Sequence, residues 1–320
     1  MQAKEMRRRV LVGALLVAAT TCMHGGPAFA QTMGFATLPP GTLNHTTASA
    51  IAKVLKDRGG MNVLVQPTAG DQVINPMVGR GEVEIGITNI MEAQDALDGQ
   101  FKDMRLIAAV HPLRTPIFVR KDSGMTTTAD LKGKRVTLGY SAMRNIDKTM
   151  RSMLATANLT DADVKPVLVP NVVRSADEFM AGNADMFSFA FGGPKVKEAD
   201  VTVGGIRALE LDTGNFAAAR KIMPWAYLTD VAPGAIFTGV EKPMKVYSFD
   251  NVLIASAKVS DDFVYKVLDL MVKNKDDLVA VQPVLREFSA ETAYKQYGVP
   301  YHPGALKYFK EKNLTAKSIE

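Results

Sequence analysis

Hydrophobic and polar positions follow one another along this chain as a succession of strand-like and helix-like segments. Short apolar runs predict strands at residues 33–37, 62–65 and 83–88. Between these runs, residues 44–58 and 71–79 carry apolar side chains at the three- and four-residue spacing of an amphipathic helix. The pattern therefore predicts a β-α-β-α-β unit in the first part of the chain.

The same order of elements recurs about one hundred residues later. Strands are predicted at residues 136–140, 167–169 and 185–191, and helices at 145–157 and 172–182. Gly81-Glu82-Val83-Glu84-Ile85 aligns with residues 182–186 at a shift of 101, which also separates the first helices of the two units. A unit used twice predicts two similar α/β lobes, each with a parallel sheet covered by helices.

Two extended apolar segments, residues 104–119 and 245–255, are predicted to connect the lobes. After them, Ser260 is a candidate N-cap of a helix in the C-terminal tail, and Pro303 suits the first turn of the last helix. We assign His302 to structure for the same reason. The predicted fold is a two-lobed α/β clamshell with a hinge of two crossing segments. Lobe one is predicted to comprise residues 31–118 plus 250–320, and lobe two residues 119–249.

Residues 1–30 predict an export signal and not a part of the fold. Lys4 and three arginines precede an apolar run at residues 10–19, and Ala28-Phe29-Ala30 has the small-x-small spacing of a signal-peptidase site. We expect cleavage after Ala30 and a periplasmic mature protein. The alternative is a buried N-terminal helix, and a twin-arginine export route stays open.

Composition and charge exclude several classes of protein. Residues 1–30 contain four basic residues and one acidic residue, so their removal lowers the net charge from +5 to +2. This near balance excludes a strongly basic nucleic-acid binder. The only cysteine, Cys22, lies in the predicted signal, and the sequence around it is a poor match to a lipoprotein motif. The mature chain also has no P-loop, G-x-S-x-G or H-E-x-x-H motif. We therefore expect no enzyme activity, no metal and no cofactor.

Six loops at the carboxyl ends of the predicted strands form the candidate binding site: residues 37–45, 68–71 and 88–89 in lobe one, and residues 140–145, 170–174 and 190–194 in lobe two. Open α/β sheets bind ligands at this edge, and amides at helix N-termini attract anions. The sharpest candidate is Arg144, whose guanidinium could hold a carboxylate in a two-bond fork. A solvated surface arginine is the alternative for this residue, as turns and caps are for each loop. The predicted ligand-binding residues are Thr42, Asn44, His45, Ala69, Gly70, Asp71, Asn89, Tyr140, Ser141, Arg144, Asn145, Phe191 and Gly192.

Several of these segments resemble a known family, the TAXI branch of the solute-binding proteins of TRAP transporters. The tail Tyr301-His302-Pro303-Gly304-Ala305 is the most specific of them. The other matching segments are Pro67-Thr68-Ala69-Gly70, residues 81–87, residues 130–136 and Phe191-Gly192-Gly193-Pro194. Two loops, residues 39–45 and 139–145, depart from the family pattern within the predicted site, so the usual ligands of the family need not transfer.

The resemblance implies a type II periplasmic-binding fold and delivery of a solute to a membrane permease. We expect a monomeric receptor that binds a small, carboxylate-like organic anion between its lobes and passes it to TRAP-type permease subunits. Two alternatives are a periplasmic sensor component that binds the same ligand and, with less support, a periplasmic enzyme on the same fold.

Overall fold

The computed structural model describes residues 32–319, which form one compact unit. The predicted signal at residues 1–30 lies outside the described residues. The strands are β1 (Met33–Thr37), β2 (Val63–Pro67), β3 (Ile85–Asn89), β4 (Met104–Arg114), β5 (Ile117–Arg120), β6 (Arg135–Leu138), β7 (Lys165–Leu168), β8 (Met186–Ser188), β9 (Ile206–Ala208), β10 (Tyr227–Val231) and β11 (Met244–Ser256). The helices are α1 (Leu43–Gly59), α2 (Asp71–Arg80), α3 (Ile90–Asp98), α4 (Arg144–Thr156), α5 (Val172–Met180), α6 (Pro194–Thr202), α7 (Phe216–Ile222), α8 (Asp261–Lys273), α9 (Lys275–Val281), α10 (Ala290–Ala293) and α11 (Pro303–Glu311).

The larger sheet has the strand order β10-β11-β3-β1-β2, and β4 also pairs with β11. Strand β1 runs parallel to both β2 and β3, whereas β11 is antiparallel to β3, β4 and β10. Helices α1, α2 and α8 pack around this sheet, so its central strands are buried on both faces. This double burial explains why β1 and β3 read as nearly continuous apolar runs in the sequence.

A second group of strands lies in the middle of the chain. Strand β5 pairs antiparallel with β8 and β9, and β6 pairs parallel with β7. Strand β8 lies beside β6, because the Asp185 amide donates to the Arg135 carbonyl at 2.9 Å. The order β7-β6-β8 thus matches β2-β1-β3 of the larger sheet, and the internal repeat predicted from the sequence has a counterpart in the topology.

Two glycines at the predicted shift of 101 show how closely the units correspond. Gly81 follows α2 at φ 75°, and Gly182 follows α5 at φ 77°. Both conformations are left-handed, and glycine adopts them without the steric cost of a Cβ. A glycine therefore occupies the left-handed position that follows the helix in each unit.

The two predicted crossing segments form one hydrogen-bonded ribbon. Strand β4 continues through Thr115 and Pro116 into β5, and so passes from the larger sheet to the second group of strands. Strand β11 pairs with β4 from Ser248 opposite Arg114 to Ser256 opposite Met104. The hinge therefore consists of two antiparallel strands that support each other along most of their length.

Sheet membership differs from the predicted lobe boundary at one place. Strand β10, within the predicted lobe two, pairs with β11 in the larger sheet. Residues 232–243 then reach back to the second group of strands, where the Ala208 amide donates to the Gly239 carbonyl at 2.9 Å. The half-buried residues of β10 do not indicate which sheet the strand joins. By pairing, β10 belongs with lobe one, and the other predicted lobe boundaries stay a prediction.

The C-terminal tail packs against the first lobe. The Ser260 side chain caps α8 by accepting from the Phe263 amide at 3.3 Å, as the sequence predicted. Pro303 occupies the first turn of α11, and the buried His302 caps that helix. Within residues 32–319, no helix is both long and apolar enough to cross a membrane.

Candidate functional site

All six predicted loops contribute side chains to one enclosed cavity between the lobes. Its volume is about 40 Å³. A water needs at least about 10–15 Å³ of such space, so the closed cavity admits only a few heavy atoms unless the lobes separate slightly. The lining residues are Leu38, Thr42, Leu43, Asn44, Asp71, Asn89, Leu113, Thr115, Met143, Ile146, Thr149, Val172, Ser188, Phe189, Ala190 and Phe249.

Four of the predicted ligand-binding residues line this cavity: Thr42, Asn44, Asp71 and Asn89. Three of them stand at helix N-termini. Thr42 caps α1, Asp71 is the first residue of α2, and the Asn89 side chain accepts the Glu92 amide at 3.0 Å to cap α3. Their positions follow from the local chemistry of caps, since the polar atoms that cap a helix also face the edge of the sheet.

Ala69, Gly70 and Asn145 lie where the lobes touch. The Ala69 carbonyl accepts from the Asn171 side chain of lobe two at 3.2 Å, and the Asn145 amide donates to the Glu92 carboxylate of lobe one at 3.0 Å. Gly70 packs directly against the backbone of Ala142. These three predicted residues therefore hold the lobes together and do not line the cavity.

The other predicted residues lie elsewhere. Tyr140 is buried within lobe two, where its hydroxyl bonds two neighbouring hydroxyls at 2.8 and 3.1 Å. Phe191 belongs to a buried aromatic cluster, and Gly192 adjoins it at φ 83°. His45 is half-buried beside its helix cap, and Ser141 is exposed. None of these five lines the enclosed cavity of the described chain.

Arg144 lies on an open groove outside the enclosed cavity. The groove has a volume of about 440 Å³ and is formed by α2 and α3 on one side and the start of α4 on the other. Arg144 is exposed there, with Lys148 as its basic neighbour. The guanidinium thus faces the outer edge of the interface between the lobes, where an anion would remain in contact with solvent.

Sequence reasoning missed the cavity residues that come from the crossing strands and the interior of a helix. Leu113, Thr115 and Phe249 belong to the hinge ribbon, and Ile146 and Thr149 lie on the first turns of α4. The rule that ligands bind at the carboxyl ends of strands considers only loops, so it identifies neither the hinge residues nor those inside the helix. The inward-facing stripe of α4 could have identified Ile146 and Thr149, because the face of a helix that begins at the site also lines it.

Two buried carboxyl groups stand close to the cavity. Asp71 is 1% exposed, and its Oδ1 accepts from the Thr88 hydroxyl at 2.6 Å. Glu92, also 1% exposed, accepts from the Asn145 amide and, at 3.1 Å, from the Gln72 side chain. Burial raises the pKa of Asp71 to about 6. Burial, reinforced by the negative charge of Asp71, raises the pKa of Glu92 to about 8.

A buried polar network lies behind the cavity and fixes the orientation of Asn44. The Asn44 side chain donates to Asn251 at 3.2 Å, and Asn251 in turn contacts His111 Nε2 at 3.3 Å. Burial lowers the pKa of His111 to about 4, so the imidazole is neutral. Its Nδ1 then donates to the Pro112 carbonyl at 3.0 Å, and Nε2 is left to accept. This network is structural, and it presents Asn44 to the cavity in one orientation.

No cluster of three or more histidine, cysteine, aspartate or glutamate side chains suited to a metal ion occurs within residues 32–319.

Two α/β lobes that face each other across a cleft and are joined by two hinge strands are the architecture of a type II periplasmic-binding-protein fold. Several solved structures share it. PhnD1 of Prochlorococcus marinus, in complex with methylphosphonate, is 10% identical, with 89% of this chain and 100% of that one covered and a TM-score of 0.58. The alkanesulfonate-binding protein SsuA of Xanthomonas axonopodis pv. citri, bound to MOPS, is 14% identical, with 89% and 94% covered and a TM-score of 0.50. A substrate-binding protein of an amino acid ABC transporter is also 14% identical, with 78% and 97% covered and a TM-score of 0.50.

The family follows from the sequence match. Residues 35–312 match the NMT1-like family, and the chain belongs to that family. The match supports the broad class that the sequence indicated, whereas the TAXI branch stays a prediction.

Proposed function

We propose that this protein is an extracytoplasmic receptor that encloses a small solute between its two lobes and delivers it to a membrane permease. The observation that carries this proposal is the cavity itself, to which six loops from both lobes and both hinge strands contribute. A site built from two lobes around a hinge couples solute binding to closure, because contacts to both lobes stabilise the closed form.

The likeness in fold to binding proteins for a phosphonate, a sulfonate and an amino acid supports a receptor and leaves the solute open. The predicted signal at residues 1–30 supports a periplasmic location. The sequence resemblance favours a TRAP-type permease as partner, and the ABC transporter named for one structural neighbour makes an ABC-type permease the alternative.

An enzyme receives less support from the site. Asp71 is the only charged side chain on the cavity formed by the described residues. A lone carboxyl group without a paired nucleophile and base lacks the arrangement that covalent or general acid–base catalysis uses.

The predicted organic anion depends on Arg144. Since this side chain lies on the open groove, an anion held by it would bind at the edge of the cleft and not within the cavity. Substitution of Arg144 by alanine would then weaken anion binding by about tenfold or more, as expected for loss of a charge-assisted contact.

A thermal-shift screen of small solutes against the mature chain, residues 31–320, tests the receptor function. A solute that binds only the folded protein raises its melting temperature. The matched control is Thr149→Phe, which fills the cavity from α4. We expect a solute that stabilises the wild type to have no effect on this variant. Equal stabilisation of both proteins would contradict binding in the cavity.

A further inference from the structure

The lining of the cavity carries one carboxyl group, and all its other side chains are neutral. Nine lining residues are apolar, and six are uncharged threonines, asparagines or serines. No lysine, arginine or histidine lines the cavity within the described part of the chain. An anion enclosed here would meet the charge of Asp71 with no counter-charge, in a region where water does not screen the repulsion.

Asp71 has one carboxylate oxygen left without a protein partner. Its Oδ1 accepts from the Thr88 hydroxyl, whereas Oδ2 is buried and makes no hydrogen bond within residues 32–319. Leaving such an oxygen buried and unsatisfied is unfavourable. The Thr115 hydroxyl, on the same cavity, is likewise buried without a hydrogen-bond partner within residues 32–319. Both atoms are therefore available to a ligand that brings hydrogen-bond donors.

Nearby cations do not supply the missing donor. Asp71 also borders the open groove that carries Arg144 and Lys148, but Lys148 pairs with Asp95 at 3.2 Å and Arg144 is exposed on the groove. The second buried carboxyl group, Glu92, whose pKa burial raises to about 8, brings no positive charge to the site. The local electrostatics around the cavity thus favour a cation.

We propose that the enclosed cavity selects a small organic ammonium, with Asp71 as the anchor of its charged nitrogen. The Thr115 hydroxyl supplies a second hydrogen bond, and the apolar lining packs against the alkyl part of the solute. This inference rests on the proposed receptor function. It places the ligand inside the cavity, whereas the anion predicted from the sequence would bind at Arg144 on the groove.

The test uses four probes with the same alkyl chain: propylamine, propanol, propionate and propanesulfonate. Each is titrated at neutral pH into the mature wild type, Asp71→Asn and Arg144→Ala, with calorimetry and melting temperature as readouts. Asparagine keeps the shape of Asp71 and can still accept from Thr88. Should this variant be unstable, Asp71→Ser removes the charge with a smaller side chain. We expect propylamine to bind the wild type at least about tenfold more tightly than propanol, to lose that advantage in Asp71→Asn and to keep it in Arg144→Ala.

Three results would overturn the inference. They are tighter binding of propionate or propanesulfonate than of propylamine, equal propylamine binding by Asp71→Asn and the wild type, and no propylamine binding at all. The Thr149→Phe variant shows whether only the ammonium assignment is wrong or the receptor function as well. If an anionic probe binds the wild type and not Thr149→Phe, the ammonium assignment fails and the receptor function stands. If every solute that binds the wild type binds Thr149→Phe equally, the cavity is not the site and the receptor proposal itself fails.

Discussion

Gly70 lies at a contact between the lobes where a larger side chain does not fit. A Cβ built on Gly70 would lie 2.1 Å from the carbonyl oxygen of Ala142 and 2.9 Å from the Met143 side chain. Both neighbours belong to lobe two, whereas Gly70 belongs to lobe one. The φ angle of Gly70 is 167°, an extended conformation that alanine also adopts. Gly70→Ala therefore disturbs the contact between the lobes without straining lobe one itself.

The expected size of the effect follows from the distances. A carbon–oxygen contact is normally about 3.3 Å or longer, so the lobes would have to move apart by roughly 1 Å. The Gln72 amide reaches the Ala142 carbonyl at 3.3 Å, and the Asn145 amide reaches Glu92 at 3.0 Å. Both hydrogen bonds would break. One is between neutral groups and one involves a carboxyl group, so together they contribute about 2 kcal/mol or more.

A loss of about 2 kcal/mol from the closed form corresponds to a decrease of roughly 30-fold in its population and in the apparent affinity. The assay is calorimetry with the solute that most raises the melting temperature of the wild type, together with thermal melting of the solute-free proteins. Gly234→Ala is the matched control, because the nearest atom to its added Cβ would be 3.9 Å away. Wild-type affinity in Gly70→Ala would refute the reasoning, as would a solute-free melting temperature well below that of Gly234→Ala.

Three further predictions concern pH, the last helix and export. The pKa of Glu92 is about 8 in the fold against an ordinary 4.5, so its contribution to stability is present below pH 4.5 and is lost as the pH rises to about 8. Glu92→Gln should therefore have a higher melting temperature than the wild type at pH 8.5 but not at pH 4.5. The same difference in melting temperature at both pH values would contradict this. His302 caps α11, since its Nδ1 accepts from the Gly304 amide at 3.2 Å. His302→Ala should therefore lower the free energy of unfolding by about 1 kcal/mol or more in denaturant titrations, without changing solute affinity. Weaker solute binding at unchanged stability would show that His302 has a binding role instead. Mass spectrometry of the exported protein should find Gln31 at its N-terminus, and retention of residues 1–30 would show that the predicted cleavage after Ala30 is wrong.

The strands and helices of the repeated unit could be predicted because they depend on local pattern. Burial of β1 and β3 on both faces leaves continuous apolar runs, and the amphipathic stripe of α4 marks its inner face. The sheet that β10 joins could not be predicted in this way. Its half-buried pattern is compatible with either sheet, and the choice depends on pairing with β11 over a long connection. Periodicity identifies the face of a strand but not its neighbour.

The sequence predicted which loops form the site better than it predicted which side chains line the cavity. Helix caps such as Thr42 and Asn89 lie at the cavity, because caps and strand ends meet at one edge of a sheet. Arg144 is one residue from the buried Asn145, yet it points to the open groove. Successive residues at a helix start face directions about 100° apart, so a one-residue difference separates an interface contact from an exposed side chain.

The acidic contacts between the lobes link closure to charge. Glu92 and Asp95 of lobe one receive the Asn145 amide and side chain, at the start of α4 in lobe two. Carboxylates near a helix N-terminus are stabilised by the helix dipole, so this arrangement favours closure. Glu92 is buried beside Asp71 in the closed form, and ionisation of both carboxyl groups together is unfavourable, which raises the pKa of Glu92. A bound cation at Asp71 would offset that repulsion, whereas an enclosed anion would add to it. The charge of the solute thus becomes part of the free energy of closure, and this links the selectivity of the cavity to the movement of the lobes.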